Sequence, residues 1–353
     1  MRRIVLLGGG YGGLKIAHQL LSQLPDDVEI TLIDRNPYHT MKTEFYALAA
    51  GTIAEKEVRS AFPYHEQLRI MTDTVHRIDL EREAVVLHHH DRIYYDYLVI
   101  GLGSEDKFHG IEGARDHTYK ISTIYHTRKT YEAVNNVKNF GQISIVGGGL
   151  SGVEMAAELR ESRPDLNIRL LDQGGALLKA FPEDIQVHAK EWFEEHDVEL
   201  VFHSNVDYVE PNIVCNTGVC LLTDATIWTA GIKPNRVIDS LAVKKDAAGR
   251  IVLNDFHQVV GVKNVYVVGD CASMELPPSA QLAEQQGKQI AEGLLRELNG
   301  KPPKPPSEIV IKGTLGTLGN QDGFGLTFNR PLKGMLPRVI KTGVLWYHKF
   351  KSL

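Results

Sequence analysis

Two glycine-rich turns of one design, Gly8-Gly9-Gly10-Tyr11-Gly12-Gly13 and Gly147-Gly148-Gly149-Leu150-Ser151-Gly152, constrain this chain more than any other feature. Each follows an apolar run suited to a buried strand (Arg3-Ile4-Val5-Leu6-Leu7 and Gln142-Ile143-Ser144-Ile145-Val146), and each opens a stretch with apolar residues at helical spacing. In that setting the first glycine makes a tight turn, the second lets backbone N–H groups reach a pyrophosphate, and the third lets helix and strand pack closely. The anion then sits at a helix N-terminus. A downstream acid completes each copy: Asp34 after Glu29-Ile30-Thr31-Leu32-Ile33, and Asp172 after Asn167-Ile168-Arg169-Leu170-Leu171. Both fall roughly 20 to 25 residues beyond their glycines, where a strand-end carboxylate accepts from ribose hydroxyls. One such turn can be an ordinary turn that binds nothing, but a matched pair with both acids implies two dinucleotides in one protein. A carboxylate at the ribose also repels a 2′-phosphate and so favours NADH over NADPH, a preference that Arg35 and Arg169 beside the two acids weaken.

With 353 residues the chain exceeds one ordinary core, and its 43% hydrophobic and 24% charged residues read as a soluble globular protein of two domains. A net charge of −5 argues against a general nucleic-acid binder. No run approaches the roughly 18 apolar residues of a membrane span. The N-terminus enters a strand without the charged-then-apolar pattern of a secretory signal, so a cytoplasmic location is expected. The three cysteines, Cys215, Cys220 and Cys271, form no Cys-x-x-Cys motif. Cys215 and Cys220 bracket Asn216-Thr217-Gly218, which looks like a hairpin turn, and in a reducing compartment they are expected to be ordinary strand thiols. His88-His89-His90 lies between two strand runs, where neighbouring side chains point to opposite faces, so a solvated hairpin tip is expected and no metal site.

Along the chain the order strand, glycine loop, helix, strand and acid occurs twice, as a weak internal duplication. The fold class expected is α/β, with two Rossmann-like dinucleotide-binding domains, small antiparallel meanders and a short C-terminal region. Residues 35–72 read as irregular. Residues 75–79, 84–87 and 93–98 read as a meander that runs into a buried strand ending at Gly101-Leu102-Gly103-Ser104. Asn264-Val265-Tyr266-Val267-Val268-Gly269-Asp270 is a further buried strand, and since the second module is already complete it is expected to return to the first sheet. The expected division is 1–110 and 255–305 for the first domain, 111–254 for the second, and 306–353 for the C-terminal region. The helix 280–298 is followed by a proline-rich linker, Asn299-Gly300-Lys301-Pro302-Pro303-Lys304-Pro305-Pro306.

Nearly the whole chain resembles the two-dinucleotide flavoprotein disulfide-reductase superfamily and, within it, the type II NADH dehydrogenases. The stretches that carry the resemblance are Ile33-Asp34-Arg35-Asn36 with Tyr38-His39, the segment 98–104, Ile227-Trp228-Thr229-Ala230-Gly231, and Pro277-Pro278-Ser279-Ala280-Gln281-Leu282-Ala283-Glu284-Gln285-Gln286-Gly287. The resemblance implies an FAD site built from Gly8, Gly10, Tyr11, Gly12, Gly13, Asp34, Arg35, Val75, Gly103, Asp270, Ala280 and Gln281. It implies an NAD site built from Gly147, Gly149, Leu150, Ser151, Gly152, Glu154, Asp172 and Gly231. The helix starting near Ala280 would aim its N–H groups at the flavin pyrimidine. Glu154 would lie by nicotinamide and flavin, and Gln281 and Gln285 would offer amides to quinone carbonyls. The implied reaction passes hydride from NADH to FAD and two electrons on to a quinone or other acceptor.

Two departures bear on the acceptor. Residues 41–51, Met41-Lys42-Thr43-Glu44-Phe45-Tyr46-Ala47-Leu48-Ala49-Ala50-Gly51, lack the family's usual Pro-Leu pair. The terminal region reads as shortened, and from Gly323 onward it has no acid but carries Arg330, Lys333, Arg338, Lys341, Lys349 and Lys351 with Leu345, Trp346, Tyr347 and Phe350. That segment fits either peripheral contact with the cytoplasmic face of a membrane or packing on the FAD domain. A homodimer is the expected assembly. A disulfide reductase is disfavoured because residues 36–50 have no cysteine, and a sulfide:quinone oxidoreductase because Cys215 and Cys220 lie in the second module. A soluble NADH diaphorase or reductase of a small redox protein, and an NADH-responsive flavoprotein sensor, stay open.

Overall fold

The computed structural model describes residues 1–328 and 330–351, the last five of these in backbone alone. Its first sheet is fully parallel, in the order Val265–Val267, Tyr97–Ile100, Arg2–Leu7, Val28–Asp34 and Leu68–Thr72. Ile4 to Leu7 are at most 1% exposed, because both faces of the sheet are covered. On one face the helices Tyr11–Leu21 and Ala280–Leu298 bury Leu14, Ala17 and Leu20 against Ile290, Leu294 and Leu298. Their close approach depends on paired glycines: a Cβ on Gly287 would stand 2.7 Å from the carbonyl oxygen of Gly12. The other face carries the antiparallel strands Val75–Asp79, Ala84–Leu87 and Ile93–Tyr94.

The second sheet repeats the design, with parallel strands in the order Tyr119–Lys120, Ala225–Trp228, Gln142–Val146, Asn167–Leu171 and Val198–Val201. The helices Ile124–Asn136, Leu150–Ser162 and Glu183–Glu195 contribute to its largest core, and the meander Val206–Glu210, Ile213–Asn216 and Val219–Leu222 covers Val146, Leu171 and Trp228. The strands Gly313–Leu318, Asp322–Thr327 and Arg330–Lys333 form an antiparallel sheet that precedes the helix Met335–Lys351. Leu318 and Phe324, both fully buried, join the core of the second module. The C-terminal sheet therefore packs on the second module, whereas one of the two expectations for this region had it packing on the first.

Two further expectations need correction. Residues 35–72 are not irregular: they hold the hairpin Tyr38–Thr40 with Arg59–Ala61, the helix Phe45–Ala50 and the edge strand Leu68–Thr72 of the main sheet. That strand is hard to read from the sequence because, as an edge position allows, Arg69 interrupts its short apolar run. Cys215 and Cys220 are not separate thiols but a disulfide, because the hairpin pairs them directly, with Cα atoms 4.0 Å apart. The two-residue turn places Thr217 and Gly218 at positive φ, the conformation whose twist matches a tight hairpin, and that register makes the two cysteines meet.

Candidate active site

Each glycine turn is built as its sequence requires. A Cβ on Gly13 would lie 2.0 Å from the Gly8 carbonyl oxygen, and one on Gly152 would lie 1.8 Å from that of Gly147. These third glycines are therefore packing positions. Gly10 and Gly149 differ, since a Cβ there meets nothing within 4 Å. The open space lies where the helices Tyr11–Leu21 and Leu150–Ser162 begin and present unpaired N–H groups. Asp34 accepts from the Gly9 N–H at 2.8 Å through one oxygen and from the Asn36 N–H at 2.8 Å through the other. Asp172 repeats the arrangement with Gly148 and Gly174, both at 2.7 Å. Each carboxylate thus ties its glycine turn to the end of the neighbouring strand and keeps lone pairs for hydroxyl donors.

A single groove of about 520 Å³ joins the two modules. Its first end is lined by Gly8 to Gly13, Asp34, Arg35 and Val75. Its middle is lined by Gly103, Asp270, Ser279 and Ala280, with Ser104 donating to Asp270 at 2.7 Å. Ser279 caps the helix Ala280–Leu298 by accepting from the Leu282 N–H at 3.1 Å, which leaves the first-turn amides facing the groove. From the second module come Leu150, Ser151, Glu154 and Gly231. Gly147, Gly149, Gly152 and Asp172 stand outside the groove's lining. Arg169 is engaged by Glu199 at 2.7 Å.

The groove also holds a buried cluster: the sequence singled out Glu154, placed Glu44 and Tyr46 in the segment 41–51 that bears on the acceptor, and put Lys341 in the basic terminal segment, where the structure instead buries it. Glu154, 4% exposed, accepts from the Thr317 N–H at 3.0 Å and from the Lys341 ammonium, which also donates to the Tyr46 hydroxyl at 2.6 Å. Tyr46, Glu154 and Lys341 all line the groove. Burial, reinforced by Glu154, pushes the Tyr46 phenol well above its ordinary range. Next to them, burial pushes the Glu44 carboxyl up to about 7, with Lys341 opposing the rise and Glu154 and Glu158 adding to it. One of its oxygens is buried without a hydrogen-bond partner. Burial also raises Glu158, which accepts from the Thr52 hydroxyl at 2.6 Å. No local motif announces Lys341 or Tyr46; only the fold brings them to Glu154.

Gln281 and Gln285 do not line the groove, contrary to the role that the resemblance gave them. Gln285 donates to the Val310 carbonyl at 2.7 Å, Gln281 accepts from the Lys312 N–H at 2.5 Å, and Gln289, one turn on, donates to the Ser307 carbonyl at 2.7 Å. One face of the helix Ala280–Leu298 thereby straps down the segment 307–312 that follows the proline-rich linker. His90 pairs with Asp73 at 2.6 Å. Burial pushes the Cys271 thiol up to about 12, which makes it a poor nucleophile.

Residues 2–287 match the family model for pyridine nucleotide-disulphide oxidoreductases. The chain is 49% identical over 351 residues to the NADH dehydrogenase-like protein YutJ of Bacillus subtilis, covering 99% of both chains. It is 29% identical to the type II NADH:quinone oxidoreductase of Staphylococcus aureus, covering 96% of this chain and 93% of that one. The structure of NDH2 from Plasmodium falciparum in complex with NADH shares the fold at a TM-score of 0.86 and 18% identity, covering 99% of this chain and 96% of that one. The chain belongs to the pyridine nucleotide-disulphide oxidoreductase family, as an NADH dehydrogenase-like, FAD-dependent NADH oxidoreductase.

Proposed function

We propose that the chain oxidises NADH through FAD and passes two electrons to a quinone. The observation that carries this reading is the single groove lined by the whole first glycine turn and by Leu150 and Ser151 of the second, together with Glu154, Lys341 and Tyr46. FAD fits the first module: the open space at Gly10 suits a pyrophosphate, Asp34 a ribose, and the first-turn amides at Ala280 the electron-rich side of a reduced ring. NADH fits the second through Gly149, Asp172 and Glu154. When bound, FAD supplies the hydride acceptance and electron transfer, and no protein nucleophile is required. The chain's own part is positional and electrostatic. Glu154 holds Lys341, and Lys341 keeps a proton donor at the inner end of the groove, where an acceptor's oxygen gains negative charge on reduction.

A second reading, a soluble acceptor in place of a quinone, is favoured by the bond from the Gln285 amide N–H to the Val310 carbonyl, which engages one of the two donors that the resemblance offered to quinone carbonyls. Stopped-flow reoxidation of the NADH-reduced protein by a panel of ubiquinone and menaquinone analogues tests the choice. Turnover-competent reoxidation supports the quinone; rapid reduction followed by negligible reoxidation contradicts it.

The same reading includes docking on an anionic membrane surface. On the helix Met335–Lys351, Met335, Leu336, Val339, Val344 and Trp346 are exposed, and Arg330 and Lys333 are exposed just before it. Tyr347, Lys349, Phe350 and Lys351 lie outside the described side chains. No described helix is long and apolar enough to cross a membrane. Co-sedimentation with anionic liposomes at low salt supports docking, and its absence there refutes it.

A further inference from the structure

Asp172 is not alone at the outer end of the second module. Its two oxygens are fixed by the N–H groups of Gly148 and Gly174. Gly174 is buried and has no side chain, and Lys179 fills the space where one would stand: a Cβ there would lie 1.9 Å from Lys179 Cε, 2.1 Å from its Nζ and 3.0 Å from Asp172 Oδ1. The ammonium and the carboxylate therefore border one point and lie within about 5 Å of each other, close enough for the cation to offset much of the carboxylate's field. Lys179 is exposed and enters no ion pair among the described residues, so its charge is available to a ligand. Arg169, the cation that the sequence placed beside the acid, is instead engaged by Glu199. The turn between them, Gln173-Gly174-Gly175, offers backbone and little bulk, and the His203 ring closes its far side, 3.0 Å from a Cβ built on Gly175.

A lone carboxylate at this position repels a phosphate on the ribose 2′-oxygen; a carboxylate with a free ammonium beside it does so far less. We propose that Lys179 sets the nucleotide specificity of this chain: Asp172 takes the ribose hydroxyls of NADH, while Lys179 provides the counter-charge that admits a 2′-phosphorylated dinucleotide, so that NADPH is a second hydride donor. This rests on the proposed assignment of the second glycine turn to the nicotinamide nucleotide. It also revises the preference for NADH that the strand-end acid alone implied. Lys179 touches neither the reacting atoms nor the flavin end of the groove, so its effect belongs to binding and leaves the chemical step unchanged.

The test uses the FAD-loaded protein and two probes that lack the nicotinamide, ADP and 2′,5′-ADP, measured by titration calorimetry at low salt. In the unaltered chain both bind. Lys179→Ala weakens 2′,5′-ADP by about fivefold or more, the size of one partly exposed charge contact, and leaves ADP within about twofold. Lys179→Arg retains both, and raising the salt narrows the difference between the unaltered chain and Lys179→Ala. Flavin reduction follows the same split, with KM for NADPH rising in Lys179→Ala and kcat unchanged for both donors. Equal weakening of both probes, or of neither, overturns the role of Lys179. If the unaltered chain binds ADP but not 2′,5′-ADP, the specificity proposal fails and the assignment of the second turn stands; if it binds neither, that assignment falls and the proposal with it.

Discussion

At Lys341 and Glu154 a cation and a carboxylate are held together out of water, each also bonded to a neutral partner, Tyr46 or Thr317. Removing one member of such a pair leaves the other buried and uncompensated, which costs about 3–5 kcal/mol. Lys341→Met is therefore expected to lower the thermal midpoint strongly, and adding Glu154→Gln to recover part of the loss; a single variant as stable as the parent contradicts the pairing. Glu44 gives a second residue-level expectation. Its folded carboxyl titrates near 7 against an ordinary 4.5, so between those values the folded protein binds more protons than the unfolded chain, and stability falls as pH rises through that window. Glu44→Gln should match the parent at pH 4.5 and exceed it by roughly 2–3 kcal/mol at pH 8, as measured by denaturant unfolding. An equal difference at both pH values shows that burial of the charge is not the cause.

At the scale of elements, glycines at different places in one turn do different work. Gly152→Ala would drive a Cβ into the Gly147 carbonyl and is expected to unfold the second module. Gly149→Ala meets no protein atom, so the fold is expected to survive with the phosphate's approach blocked. The helix Ala280–Leu298 offers another comparison. Replacing Gln281, Gln285 and Gln289 by alanine frees the segment 307–312, and limited proteolysis within residues 301–312 should accelerate at least about tenfold; unchanged cleavage means the glutamines do not strap it. These elements also show what the sequence could reveal. The glycine turns, the acids after them and the helix from Ala280 were legible because each is fixed by residues a few positions apart. The bond between Glu154 and Lys341 spans 187 positions, and the glutamines' partners are backbone groups of Ser307, Val310 and Lys312, just beyond the proline-rich linker, which no side-chain pattern marks. The strand Leu68–Thr72 and the Cys215–Cys220 bond likewise depend on pairing, an edge in one case and a hairpin register in the other.

At the scale of the molecule, two copies of one module meet around one groove, and the C-terminal sheet and helix close its inner end with Leu315 and Lys341. The proposed function gives the two turns separate jobs, the first to hold the relay and the second to present the donor. The measurement that tests it most directly is stopped-flow bleaching of the bound flavin by NADH in the unaltered chain and in Gly149→Ala. The variant is predicted to keep its flavin and to be reduced at least about tenfold more slowly at limiting NADH, the loss expected when a methyl group blocks a phosphate's place on a helix N-terminus. Loss of flavin from Gly149→Ala, or reduction at the parental rate, would contradict the division of labour between the two turns.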